Sequence, residues 1–329
     1  MEVGINLFNA AVLAGTPLLL GMLGEILTEK SGNLNLGVEG MMFMGAAFGL
    51  VGAWTYEQWA LTSGIAVSGA MGVFAAVFAA AAAGALGALI YSFLTISLRA
   101  NQNVTGLTLT IFGTGFANLI GELLGKKAGG FVMVGPEIKA AFSNVGFGGL
   151  SQIPVLGKLL FSYNWMVYFG IGLAIAMAWF FNKTRVGLKL RAVGESPATA
   201  DAAGINVTRY KYVATVVGGA ICGIGGMYMV MVTCSGVWVH NSVSGYGWLA
   251  VALVIFATWN PLRGLLAGLI FGAFTIMRLY IPIPGLSMHL YNMLPYAATI
   301  VVLIITSISQ SKEHAMPKSC GVNYFREER

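Results

Sequence analysis

Apolar runs of roughly 20 residues, long enough to cross a bilayer as helices, recur from one end of this chain to the other, and nothing else in the sequence restricts its fold so tightly. A membrane-spanning backbone must satisfy its own hydrogen bonds, which leaves helices or closed barrels. Barrel strands alternate apolar and polar residues, and these runs do not. Of the 329 residues 57% are hydrophobic and 9% charged, with 45 glycines, and the mean hydropathy is +0.79. Soluble domains carry about 25% charged residues. The expectation is an all-α, polytopic membrane protein in contact with the lipid bilayer. Its net charge of +6 lies beside the apolar runs, as a topology signal does, and no aromatic-basic motif accompanies it, so no nucleic-acid partner is expected. Three cysteines without metal-ligand spacing support neither a disulfide framework nor a zinc site. The MEVGIN start lacks the basic region of a cleavable leader.

Read in order, the chain predicts about nine spans, within a range of 8–10. The first is Ile5 to Leu27. The second, Leu34 to Trp54, opens with GNLNLGVEG, too rich in amide, glycine and carboxylate for a lipid-facing helix; it reads as a discontinuous helix that lines a protein cavity. Trp59 to Leu98 reads as one long tilted helix, with a second short helix around Ile65 to Phe74 kept open. Val104 to Leu124 follows, then an external loop to Tyr163 with one or two surface helices. Further spans are Asn164 to Phe181, Tyr212 to Thr233, a run ending at Trp259, Leu262 to Tyr280 and Leu290 to Ser307. Gly84, Gly87, Gly219, Gly223, Gly226, Gly264, Gly268 and Gly272 mark close helix packing. The layout of Asn33 to Trp54 is echoed by Asn241 to Trp259. A transmembrane domain of 1–309 and a tail of 310–329 are expected, the tail reading most simply as a solvated end.

The longest polar interruption is Lys183 to Lys211. Six cations lie in it, and at its middle is a short self-capped helix: Ser196 as N-cap, Pro197 at the first helical position and Gly204 as the left-handed stop. Placing this loop in the cytoplasm puts 13 of the Lys and Arg residues inside and five outside, with the N-terminus outside and the C-terminus inside.

No Walker A sequence, nucleophile elbow, HExxH or paired-carboxylate motif is present, and an enzyme is not expected. Four stretches, EKSGNLNLGVEGMMFMGA, RANQNVTG, TRVGLKLRAVGESPATADAAGINV and GYGWLAVALVIFATWNPLRG, resemble the permease subunits of bacterial ABC importers, in the branched-chain amino acid and simple-sugar permease family, and are most similar to its nucleoside-type branch. The likeness runs from about Asn6 to about Thr306. It implies an inner-membrane subunit working opposite a second permease, either itself or a related chain. Two ATPase subunits would carry ATP and Mg, none being a cofactor of this chain, and an extracytoplasmic binding protein would deliver substrate. The loop would form the coupling helix, with Glu195, Ser196, Pro197, Asp201, Ala203 and Gly204 at the ATPase contact. For the substrate path the polar candidates are Asn33, Asn35, Glu39, Asn101, Gln102, Asn103 and Thr105, each equally readable as a cap for neighbouring backbone. Glu39 needs a partner such as a helix N-terminus. Trp238, Tyr246, Trp248 and Trp259 read first as interfacial belt residues. Importers of sugars, riboflavin-like compounds or branched-chain amino acids remain open, as does an ion-coupled secondary transporter. The latter usually carries ionisable groups in its spans, where Glu39 reads as nearly alone.

Overall fold

The computed structural model describes residues 2–143, 153, 156–280, 287–309 and 316–326. Among them the secondary structure is helical apart from one bridge between Met133 and Val237. Six helices are long and apolar enough to cross a membrane: α1 (Glu2–Glu29), α2 (Val38–Thr62), α3 (Gly69–Ser92), α4 (Gln102–Lys127), α7 (Trp165–Lys183) and α10 (Val207–Tyr228). Both α3 and α10 run on into a π-helical turn, Phe93–Ser97 and Met229–Thr233. Shorter apolar helices follow, α11 (Tyr246–Phe256), α12 (Pro261–Tyr280) and α13 (Met288–Ser309). The outer loop carries α5 (Pro136–Phe142) and α6 (Leu156–Leu160), and the basic loop α8 (Arg185–Glu195) and α9 (Pro197–Ala202). Residues 144–152 and 154–155 of the loop, and 310–315 and 327–329 of the tail, lie outside the described residues.

These nine apolar helices occupy the nine regions the sequence assigns to spans, with one correction. Trp59 to Leu98 is not a single helix, nor is there a separate short helix at 65–74. Helix α2 continues to Thr62 and stops on Ser63-Gly64, where Gly64 has φ +67° and the Ile65 amide returns to the Ala60 carbonyl at 3.0 Å. The Tyr56 hydroxyl accepts from the Ser68 amide at 3.0 Å, and α3 starts at the next residue. A left-handed glycine stop is hidden by composition in a chain where glycine is common inside helices.

Helices α1, α2 and α10 form the buried centre. They approach backbone to backbone, because lipid supplies no hydrophobic drive for helix association and close van der Waals contact must do so. A Cβ on Gly226 of α10 would stand 1.8 Å from the Met42 carbonyl oxygen of α2, and one on Gly84 of α3 2.2 Å from the Gly219 carbonyl oxygen. On the other side α12 lies against α1, where a Cβ on Gly272 would meet the Ala11 carbonyl oxygen at 2.2 Å. Large apolar side chains point outward from the peripheral helices, among them Phe74 and Phe78 on α3, Ile111 and Phe112 on α4, and Trp179 on α7. This is the arrangement lipid requires.

Candidate functional site

The basic loop folds as two helices rather than one. Thr184 caps α8, its hydroxyl accepting from the Gly187 amide at 3.0 Å. Helix α8 buries Leu190 and Val193 and leaves its cations outside. Ser196 caps α9, its Oγ accepting from the Thr199 amide at 3.4 Å and lying 2.8 Å from Thr199 Oγ1. Pro197 occupies the first turn, and Gly204, at φ +78°, ends the helix with its amide donating to the Asp201 carbonyl. The predicted capping is thus realised residue by residue; sequence reasoning missed α8, whose glycines and cations mask its apolar face. Val193, Ala200 and Val207 form a small second core joining α8, α9 and α10, with Tyr324 of the tail packed on it.

That contact corrects the reading of the tail as a solvated end. Its described part is docked. Ser319 Oγ donates to the Gly194 carbonyl at 2.6 Å, and Asn323 Nδ2 to the Arg99 carbonyl at 2.6 Å. Gln102 Nε2 donates to Asn323 Oδ1 at 3.1 Å. Tyr324 donates its hydroxyl proton to Asp201 at 2.7 Å, and Arg326 pairs with the same carboxylate at 3.2 Å. The Arg99 guanidinium lies 4.6 Å over the Phe325 ring. Chain ends that the charge count assigns to one side, at Lys30, Arg99, the basic loop and the tail, therefore meet on one face. A Cβ on Gly194 would lie 2.3 Å from the Lys30 carbonyl oxygen. Burial, and then the neighbouring Arg191, holds the Lys30 ammonium below its ordinary range. Not all six loop cations lie at the surface: Lys211 is buried, and its Nζ reaches the Gly32 carbonyl at 3.5 Å.

Between α1 and α2, residues 31–37 are irregular and mostly buried, as a discontinuous opening requires. Their polar groups pin it in place. Asn33 Nδ2 donates to Thr215 Oγ1 of α10 at 2.9 Å, Asn35 Oδ1 accepts from the Gly37 amide at 2.9 Å, and Gln102 Oε1 accepts from the Leu34 amide at 2.7 Å. Asn101 caps α4 by accepting from the Val104 amide at 3.1 Å, and Thr105 Oγ1 donates to the Asn101 carbonyl. Asn103 is exposed. Glu39 Oε1 accepts from the Gly245 amide at 3.1 Å and Oε2 from the Trp248 amide at 3.3 Å, so a carboxylate on α2 caps the N-terminus of α11. The candidates do not gather around one opening. Asn33 and Gln102 do share the wall of a cavity of about 760 Å³ with Asp201 and Gly204.

Glu39 is not nearly alone, and here the sequence reading is corrected. Glu25, Glu29 and Glu57 are buried as well, with Lys211. Glu25 Oε1 accepts from the Asn35 amide at 3.1 Å, and Glu57 Oε2 from the Gly135 amide at 3.0 Å. Glu29 accepts a hydrogen bond from Trp259 Nε1. Trp259 is accordingly a buried donor rather than a belt residue. The i, i+4 spacing of Glu25 and Glu29, which puts both on one helix face, was the available signal.

A packed bundle of apolar helices, with a broken opening and a capped surface helix hung between two spans, defines an all-α polytopic membrane protein. The family model for the permease component of the branched-chain amino acid transport system matches residues 6–303, and the chain belongs to that family. It is similar over 99% of both chains to TsgC13 of Haloferax volcanii, named for a glucose ABC transporter, with 33% identity. It is 35% identical to the guanosine ABC transporter permease protein NupQ of Bacillus subtilis, covering 97% of this chain and 96% of the relative. It is 32% identical to the nucleoside ABC transporter permease protein NupC of Lactococcus lactis, with coverages of 96% and 95%. The chain is a permease subunit of an ABC transporter.

Proposed function

We propose that this permease imports nucleosides across the cytoplasmic membrane, driven by separate ATPase subunits that grip α9. The observation that carries the coupling assignment is α9 itself: a six-residue helix capped at Ser196, stopped at Gly204 and seated on the core of Val193, Ala200 and Val207. A short helix so fixed moves as one piece with α8 and α10, whereas a floppy loop would absorb the push. Glu195, Ser196, Pro197, Asp201, Ala203 and Gly204 form or brace this contact, on the cytoplasmic face. A second permease, a copy or a related chain, completes the pathway, and an external binding protein delivers the solute.

The names of NupQ and NupC support a nucleoside, and that of TsgC13 supports a sugar as the second reading. Both present hydroxyls that the amides of Asn33, Asn35 and Gln102 can recognise once helix movement releases them from their present partners. Alternating access then rests on differential contacts in two conformations. No residue of this chain needs to perform covalent chemistry. Ala203→Asp and Gly204→Pro test the coupling assignment in reconstituted complexes: ATP hydrolysis should persist while nucleoside uptake falls. Normal uptake in either variant would remove α9 from the role. Competition of labelled guanosine uptake by unlabelled glucose tests the substrate, and effective competition would favour the sugar reading.

A further inference from the structure

We propose that Glu25 and Glu29 form a proton-binding site, in which Glu25 is held as the neutral acid and donates its proton to the Glu29 carboxylate. Both side chains are buried near the end of α1, at the i, i+4 spacing that places them on one helix face. Their carboxyl groups lie within hydrogen-bonding reach of each other. Glu25 Oε1 accepts from the Asn35 amide at 3.1 Å, whereas Oε2 is fully buried and meets no N–H or O–H donor among the described residues. Glu29 Oε2 accepts from Trp259 Nε1. That donor is held in place. Thr258 has φ +50° and Trp259 φ +54°, left-handed backbone that β-branched and bulky residues keep only where their surroundings fix it.

No Lys, Arg or His forms an ion pair with either carboxyl among the described residues. The titratable groups nearby are Lys30, whose charge acts on Glu29, with Tyr91 of α3, Cys222 of α10 and Cys320 of the tail. Lys30 can offset one negative charge, and no second cation acts on the pair among the described residues. Two carboxylates in contact and away from water cannot both stay ionised. One proton on Glu25 Oε2 removes the second charge, turns an acceptor without a donor into a donor, and gives Glu29 its second hydrogen bond. A divalent cation would need more ligands, and among the described residues no group of three or more His, Cys, Asp or Glu gathers to supply them. The proton thus joins α1 to the broken opening through Asn35 and to the turn after α11 through Trp259, independently of α9 and of the solute carried.

The test is infrared spectroscopy of the full-length chain in nanodiscs at neutral pH, in sodium and in choline buffers, because the carbonyl stretch of a carboxylic acid is separate from the carboxylate bands. The parent chain should show an acid component in both buffers. Glu25→Gln, whose amide can donate to Glu29 and accept from Asn35, should melt like the parent and lack that component, while Glu57→Gln keeps it. Should Glu25→Gln fail to fold, carbon-13 NMR of the parent chain labelled at its glutamate carboxyls decides, with the Glu25 signal expected at the position of an acid. An acid band absent from the parent, retained in Glu25→Gln, lost equally in Glu57→Gln or abolished by sodium would overturn the assignment, as would a carboxylate signal at Glu25.

Discussion

Gly226 is the tightest test of how this bundle is held together. A Cβ there would stand 1.8 Å from the Met42 carbonyl oxygen and 2.5 Å from its carbon, both backbone atoms of α2 that no rotamer change can move. Gly226→Ala therefore forces α2 and α10 apart by more than about 1 Å, along two helices of the buried centre. Overpacking of this kind costs roughly 1–3 kcal/mol, and a backbone-to-backbone clash belongs at the upper end. At about 2–4 °C per kcal/mol, the midpoint should fall by roughly 6–12 °C. Gly268 of α12 is the internal control. Its nearest neighbours, the Gly15 carbonyl oxygen and Leu19 Cβ, would both lie 3.5 Å away, an ordinary contact. Gly268→Ala should leave the midpoint unchanged or raise it slightly, since alanine favours helix by about 1 kcal/mol over glycine. Thermal unfolding of both variants in the same detergent, followed by tryptophan fluorescence, decides the matter. Equal shifts, or a stable Gly226→Ala, would show that close backbone approach does not hold this core.

Three further outcomes follow from hydrogen bonds already described. Glu39→Ala strips the acceptor from the Gly245 and Trp248 amides, about 1–3 kcal/mol for each group left buried; it should lower the yield of monodisperse protein more than Glu39→Gln, and equal yields would argue against the cap. Trp259→Phe leaves the Glu29 carboxylate without its indole donor and should destabilise, while adding Glu29→Leu should cost less than the sum of the single changes, a coupling read from a double-mutant cycle. Burial, and then the nearby glutamates, push the Cys320 thiol well above its ordinary range, so it stays protonated through neutral pH. In a Cys222→Ala/Cys234→Ala background, maleimide labelling of Cys320 should be slow and scarcely rise between pH 7 and 9, whereas Asn323→Ala should speed it by loosening the tail. Rapid labelling of the parent would contradict a docked tail.

Most of the architecture was legible because apolar runs of spanning length admit few folds, and caps such as Ser196 and Asn101 are written in single residues. The stop at Ser63-Gly64 was not, since glycine serves both as helix terminator and as helix-packing residue here and only the backbone distinguishes the two. The site was harder to read. Asn33, Asn35 and Gln102 were found as polar residues that lipid would not tolerate, but their partners lie 182, 2 and 68 positions away or more, and a linear reading cannot supply the distant ones. Trp259 shows the same limit. A tryptophan at the end of an apolar run has the composition of a belt residue, and only the fold brings Glu29 to its indole nitrogen. The tail was misread because its charges suggested solvent, while Ser319, Asn323 and Tyr324 carry the contacts.

The anchoring of Asn323 to the Arg99 carbonyl and of Ser319 to Gly194 also sets an order of assembly. Synthesis delivers these residues after α13, at roughly 5–20 residues per second. Until they leave the ribosome, the small core under α9 lacks Tyr324, and Asp201 lacks both the tyrosine hydroxyl and the arginine. A product truncated after α13 would keep its apolar helices yet lack the contacts that Ser319, Asn323 and Tyr324 make with Gly194, Arg99 and Asp201, and so leave the face under α9 unfinished.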